Sequence, residues 1–167
     1  MSSKIGTISL NINTDDFNYG AILHSYAFQK YVNDYLKLDC EVINYVTPKL
    51  ENYNRKNPLF EYIKQKRIKT FLRTLLRYNM YRNRYKKFEK FEEEHMKISS
   101  ESYNQTKLNM ANLSYDTVIC ESDVIWSPGF VGGKFDKAFF LALDSMKDKK
   151  KIAYAPSMAD CDVKNQE

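Results

Sequence analysis

The sequence predicts an α/β fold built on a parallel sheet, and three observations at its start predict it. Residues 4–12 carry Ile5, Ile8, Leu10 and Ile12 in a strand-like run. Residues 21–36 place Ile22, Leu23, Tyr26, Ala27, Val32 and Leu36 near a 3.6-residue period, the mark of a helix with one apolar stripe. Residues 40–46 form a second short apolar run, stopped by Thr47-Pro48 because the residue before a proline resists regular continuation. A strand, loop, helix and strand within 46 residues fit most economically as a parallel pair joined by a right-handed crossover. That is the opening of a doubly wound, Rossmann-like domain.

The later elements follow from the same periodicities. No glycine occurs over residues 59–97, and no proline occurs there after Pro58. Ile68, Phe71, Leu72 and Leu75 share one helical stripe, and Tyr81, Tyr85 and Phe88 continue at helical spacing. Two helices are expected, with a break near Tyr78-Asn79 and Pro58 as an early helical residue. They read as a basic helical pair inserted at residues 58–98 into a single domain spanning residues 1–167. Residues 115–121 return to strand character. A loop with Trp126, Pro128, Gly129, Gly132 and Gly133 follows. Residues 135–143 are expected to be a short helix, with Asp136 at its positive end. Residues 151–155 make a last strand before Pro156-Ser157. Four strands with few covering helices make a thin sheet. The expectation is therefore that the chain is the N-terminal half of a longer protein, with a complete small domain as the alternative.

Composition narrows the class. The chain has 167 residues, 43% apolar and 14% aromatic, enough to bury about 70% of its unfolded surface in one core. No apolar run reaches the ~18 residues of a membrane span, and the first ten residues are not a secretion signal. Cys40, Cys120 and Cys161 are odd in number and scattered, which argues against a disulfide framework or zinc site. Only two histidines occur, so no metal is expected, and a reduced, cytoplasmic setting follows.

Charge is concentrated. Between residues 55 and 90 there are 13 Lys and Arg against 2 Asp and Glu, a local net of +11 in a chain of net +5. The remainder is therefore acidic, at −6. Such a stripe attracts phosphates, anionic lipid or nucleic acid, or it is a solvated helix face. No nucleic-acid motif accompanies it, and nucleic acid is not expected as a partner.

Open α/β sheets bind ligands beyond the carboxyl ends of their strands, and three loops lie there. The first, residues 13–20, offers Asp15, Asp16 and Asn18 for sugar hydroxyls, with Gly20 allowing close backbone approach and a helix N-terminus behind it. It is not a GxGxxG fingerprint. The second offers Ser122, Asp123 and Trp126, whose indole would cover the apolar face of a sugar; a cap with Trp126 folded into the core fits equally. The third offers Ser157, also readable as a helix N-cap, and Tyr154, also readable as core. No nucleophile–base pair is visible. Cys120 lies in an apolar strand unsuited to a thiolate. His24 either faces the first loop or is a satisfied helix residue, and His95 serves the dipole at the end of the basic helices.

Several segments together resemble the polysaccharide pyruvyl transferase family. They are residues 4–8 (KIGTI), residues 18–23 (NYGAIL) with residues 26–30 (YAFQK), residues 88–91 (FEKF), Ser122-Asp123-x-x-Trp126 beside the family's G-S-D-Q-x-W-N, and residues 150–157 (KKIAYAPS) beside its K-x-A-Y-A-x-S strand. They run in family order across nearly the whole chain. Glu121 stands where the pattern has Gly, Val124 where it has Gln and Ser127 where it has Asn.

The resemblance implies a fold like the two-domain GT-B glycosyltransferases, with this chain as the N-terminal, acceptor-side domain. It implies transfer of pyruvate from phosphoenolpyruvate to sugar hydroxyls of a bacterial surface glycan or its lipid-linked precursor, as in exopolysaccharide biosynthesis. Phosphoenolpyruvate is then a co-substrate and no cofactor is needed. The family's catalytic groups lie largely in the C-terminal half, so no catalytic residue is assigned here. The expected substrate-binding residues are Asp16, Asn18, Gly20, Ser122, Asp123, Trp126 and Ser157. The cationic helices are expected to meet a diphosphate or the inner face of an anionic membrane. Two alternatives stay open: a GT-B-type glycosyltransferase using a nucleotide sugar, and a non-catalytic glycan- or polyanion-binding module.

Overall fold

The computed structural model describes residues 3–15, 17–131 and 133–160. Its centre is a five-stranded sheet, all parallel, in the order β3-β2-β1-β4-β5. The strands are β1 (Lys4–Ile8), β2 (Asp39–Tyr45), β3 (Ile98–Tyr103), β4 (Thr117–Glu121) and β5 (Lys150–Tyr154). The first strand is central, the chain winds out to β3, then returns past β1 to lay down β4 and β5. The order therefore reverses between β1 and β4, as in Rossmann-type sheets.

Side-chain alternation distributes the core between two faces. Ile5, Cys40, Val42 and Ile119 point to one face, beneath helix α1 (Tyr19–Lys30) and helix α4 (Tyr78–His95). Ile8, Ile43, Tyr45, Val118 and Cys120 point to the other, beneath α5 (Gln105–Met110) and a looped segment that contributes Leu113, Tyr115, Phe139, Leu141, Leu143 and Met146. All five residues of β4 are buried. β5 is an edge strand exposed along its length, with Lys150 and Lys151 guarding it against further pairing.

Helix α1 is held to the sheet by polar side chains as much as by apolar ones. Its buried stripe is Ile22, Ser25 and Gln29, while the expected core residue Leu23 is half exposed. The Gln29 amide donates to the Lys97 carbonyl (2.6 Å) and accepts from the Lys97 N–H (2.8 Å), which fixes the start of β3. One wide turn later, in the π-helical segment Tyr31–Tyr35, Asn33 does the same to Cys40 of β2, at 3.0 and 2.7 Å. Two amides thus supply bonds that a neighbouring strand would otherwise make.

The middle of the chain departs from expectation. Three helices occur instead of two: α2 (Leu59–Lys64), α3 (Ile68–Leu76) and α4, with breaks at residues 65–67 and at Arg77. They lead directly into β3, which pairs in parallel with β2. They form the β2-to-β3 crossover rather than an insertion. Only α4 is packed as such a helix should be. Its Phe88 is buried with Ile12, Phe17, Ile22, Val42 and Met96. Neither α2 nor α3 buries a single residue.

Two further expectations fail. Residues 135–143 are a run of turns, not a helix. Asp136 is buried there instead of capping a dipole: it accepts from the Tyr45 hydroxyl (2.6 Å), the Gln105 amide (2.9 Å) and the Ala138 N–H (2.9 Å), so its lone pairs organise the turns. The sheet also has five strands and not four, because β3 (ISSESY) has too little apolar content to be seen in the sequence.

The tightest point in the sheet is Gly6, where the Tyr115 ring lies flat on β1. A Cβ added at Gly6 would fall 2.7 Å from that ring, and the Tyr115 hydroxyl is anchored to Glu41 Oε1 at 2.7 Å. Gly6→Ala is therefore expected to lower stability by about 1–3 kcal/mol, the usual cost of overpacking. Chemical denaturation of the variant against the parent checks this, and Tyr115→Leu in the Gly6→Ala background should recover part of the loss.

Candidate functional site

A cavity of about 430 Å³ opens at the carboxyl ends of β1 and β4, where the strand order reverses. Its walls come from four places. Residues 9–15 follow β1; Asn18 caps α1, and Gly20, Ala21 and His24 belong to its start; Tyr45 ends β2, and Thr47, Lys49 and Leu50 follow it; Ser122, Asp123 and Val124 follow β4. This is where chain reversal leaves a crevice between two diverging crossovers, the ordinary ligand position in an open α/β sheet.

Beneath the cavity lies a connected set of polar groups centred on Glu121. The side chain of Glu121 is 0% exposed. Alternation along β4 turns it to the α1 face with Thr117 and Ile119, and α1 answers with two adjacent donors. Ser25 donates to Glu121 Oε1 at 2.6 Å, and His24 Nε2 lies 3.0 Å from Oε2. Having spent its only proton on Glu121, the Ser25 oxygen accepts from Asn11 Nδ2 (2.9 Å) and from Ser9 (3.1 Å). Ser9 in turn accepts the Asn11 N–H at 3.0 Å, and Ser122 donates to Asn11 Oδ1 at 2.9 Å. The ends of β1 and β4 and the second turn of α1 are thereby joined by side chains alone.

The His24–Glu121 contact has a chemical consequence. Buried His24 Nε2 and Glu121 Oε2 lie 3.0 Å apart in ion-pair contact, and neither has another hydrogen-bonding partner. The hydrogen bond to Glu121 raises the His24 pKa above its ordinary 6.5, partial burial opposes this, and the charges of Glu121 and Asp123 add to the rise. The result is an imidazole on the wall of a cavity, held against a buried carboxylate.

The expected site residues are dispersed by the structure in an instructive way. Asn18, Gly20, Ser122 and Asp123 line the cavity. Asp16 lies outside the described residues. Asn18 is also the N-cap of α1, accepting the Ala21 N–H at 3.2 Å. Asp15 lines the cavity and pairs with Lys49 at 3.1 Å. Asp123 Oδ1 accepts from its neighbour's N–H in Val124 and from the Ser157 hydroxyl, both at 2.8 Å. Ser157 also accepts from Val124 N–H at 3.2 Å, so it staples the loop after β5 to the loop after β4 and is neither a helix cap nor part of the cavity wall. Val124, at φ 47°, holds the left-handed conformation that this staple requires.

Trp126 lies outside the cavity wall. Its indole N–H donates to the Phe139 carbonyl at 3.0 Å, and its ring stacks on Phe140 at 5.3 Å. Of the two readings the sequence left open, the structure displays the packed one. Tyr154 is half exposed, its ring 4.9 Å from Phe28 and 6.0 Å from His24.

His24, Ser25, Glu121, Ser9 and Asn11 were not assembled by sequence reasoning. One signal was present: Ser25 and Gln29 stand at the spacing of Ile22 on the buried stripe of α1, and polar residues on a buried stripe need partners. Nothing in the sequence says that the partner is 96 residues away. Cys40 and Cys120 play no comparable part. Burial pushes the Cys40 thiol up to about 12 and raises Cys120 as well, so both stay protonated. Among the described residues, no three His, Cys, Asp or Glu side chains are grouped as metal ligands.

A model of the polysaccharide pyruvyl transferase family matches residues 18–167, nearly the whole chain and all of the site except the end of β1 and the loop up to residue 17. No curated protein and no solved structure matches the chain.

The His24–Glu121 contact can be read directly by titration. His24's folded pKa lies above the unfolded value, so the pair's contribution to stability is full below pH 6.5 and fades as pH rises through the raised pKa. An NMR titration of the ring protons should give a His24 pKa above 6.5, and Glu121→Gln should bring it down. A parent His24 titrating at or below the ordinary value would contradict the contact.

Proposed function

The chain belongs to the polysaccharide pyruvyl transferase family, and on that premise we propose that it contributes the sugar-acceptor site for transfer of pyruvate from phosphoenolpyruvate to hydroxyls of a surface glycan or its precursor. The observation that carries this reading is the cavity at the strand-order reversal. Its lining is rich in amides, hydroxyls and carboxylates, the groups that bond sugar hydroxyls, and it contains one oriented imidazole.

Ketal formation needs two acceptor hydroxyls to attack the enol carbon that bears phosphate. Both lose protons; one proton's worth is taken up at the methylene carbon, which becomes methyl, and the other leaves with phosphate. The part assigned to this chain is removal of a hydroxyl proton. His24, held through Nε2 against Glu121, would accept that proton at Nδ1 as general base. Asp123 and Asn18 would hold neighbouring hydroxyls. Cationic groups for the donor's phosphate and carboxylate are assigned to the family's C-terminal half. Phosphoenolpyruvate is a cytoplasmic metabolite, so the reaction belongs on that side of the membrane.

Two measurements test the reading. Incubation of the chain together with the family's C-terminal half, phosphoenolpyruvate and candidate glycan acceptors should release phosphate in step with ketal product seen by mass spectrometry, whereas product from a nucleotide sugar would favour a glycosyltransferase. Independently, calorimetric titration with acceptor sugars should show binding that Asp123→Ala and Asn18→Ala each weaken about three- to tenfold, the worth of one hydrogen bond. Trp126→Ala should lower stability with little change in affinity. Unchanged affinity in both cavity variants would remove the acceptor site.

A further inference from the structure

Helix α3 has an outer face that nothing in the fold uses. At 100° per residue, Ile68, Phe71, Leu72, Leu75 and Leu76 cover an arc of about 140°. Phe71, Thr70 and Thr74 are the half-buried residues, so the helix rests on the rest of the protein through one margin of that arc. The remaining apolar residues face outward: Ile68 is 67% exposed and Leu76 87%, with Leu72 and Leu75 about half exposed. Phe60 and Ile63 of α2 and Met80 of α4 are exposed as well. Scattered exposed leucines need no explanation, but a whole helix face flanked by further apolar residues does.

The charge around this face has one sign. Residues 64–87 contain ten Lys and Arg and no Asp or Glu. Among the described residues none of the ten forms an ion pair. Arg67 and Arg84 lie over the rings of Tyr62 and Tyr19, which leaves their charge uncancelled. Lys69 and Arg73 follow the exposed edge of the apolar arc, and Arg77 closes the helix.

We propose that α3 is an in-plane anchor that seats its Ile68, Leu72, Leu75 and Leu76 face in the headgroup boundary of an anionic lipid bilayer, with Lys69, Arg73, Arg77 and the neighbouring cations on the lipid phosphates. An apolar face with a cationic border is the pattern such helices share. Two other occupants fit less well. A second copy docking symmetrically through this face would set Lys and Arg against their own equivalents, with no carboxylate between them. A nucleic-acid backbone would satisfy the charge and leave four aliphatic side chains in water. The proposal stands on α3 and its surroundings and does not depend on pyruvyl transfer. It does bear on that reaction: α4, the next helix, grips the cavity's first loop through Phe17, which packs on Tyr81 and Phe88 at 5.2 and 5.1 Å. A lipid-bound α3 would thus adjoin the element that braces the acceptor site.

The test is flotation of the intact chain with vesicles of phosphatidylcholine alone or mixed with phosphatidylglycerol, at low and high salt. The proposal expects binding to the mixed vesicles that salt weakens, with at least tenfold loss in Lys69→Glu/Arg73→Glu and, separately, in Leu72→Glu/Leu76→Glu. All four positions are exposed, and circular dichroism should confirm that both variants fold. Four results would each overturn it: no attachment to either vesicle; attachment indifferent to salt; attachment unchanged in the leucine variant, which would leave a purely solvated cationic face; or a dimer by light scattering that the leucine variant dissolves.

Discussion

A buried carboxylate at the end of the central strand pair governs the architecture of the site. A charge at 0% exposure is tolerable only when paired and hydrogen-bonded, and stripping one partner from such a pair typically costs about 3–5 kcal/mol. Glu121 meets that requirement with His24 and Ser25, which follow one another on α1 and so lie about 100° apart, straddling the carboxylate. Everything near it inherits a fixed position. Ser25 can serve Glu121 only by accepting from Ser9 and Asn11, and Asn11 is thereby aimed at Ser122. The loop after β1 and the loop after β4, which frame the cavity, are set by one acid.

Helix α1 is the part that makes this possible, and it works through specific polar bonds where a simple crossover helix would use an apolar stripe. Ser25 addresses β4 and Gln29 the start of β3, while Asn33, in the π-helical segment that continues α1, addresses the start of β2. An amide that both donates to and accepts from one residue constrains distance and orientation together, so the register of α1 over three strands is specified more tightly than apolar contact could manage. His24 owes its direction to that register. A slip of one residue along the helix axis would move it by 1.5 Å and about 100° and take it off the carboxylate.

The legible part of the fold was the part whose environment is uniform. β1, β2 and β4 read as strands because both their faces are buried, α4 reads as a helix because a stripe of it is covered, and α1 reads as one from an apolar period of which Ile22 is buried while Leu23 is half exposed. β3 was missed because it is an edge strand with serines and a glutamate. It is a strand on account of its bonds to β2, and no local propensity announces them. With β3 unseen, its crossover helices had no strand to deliver and passed for an insertion. Residues 135–143 failed in the opposite sense: their apolar density reflects burial under the sheet, while Asp136 accepts three hydrogen bonds that hold the chain in turns. In the site, the loops could be placed from topology, since ligand crevices sit beyond strand ends. The His24–Glu121 pair could not, because the two positions are 97 apart in the chain and neither is unusual in its own neighbourhood.

Glu121 is also one of the three positions where this chain departs from the pattern it resembles, which has glycine there. A glycine at the end of a buried strand asks nothing of the helix above it. A glutamate asks for two donors at once, because one carboxylate oxygen left bare in that position would forfeit the stability gained by satisfying the other. The reverse change is equally constrained: without the carboxylate, Ser25 would lose the acceptor for its proton and His24 its ion-pair partner. Position 121 is thus coupled to positions 24 and 25 as a unit, and single substitutions among the three are costlier than a concerted set. That coupling makes the acid more than a filler of space. What the carboxylate supplies that glycine cannot is a histidine held against it on the wall of the cavity with its pKa raised.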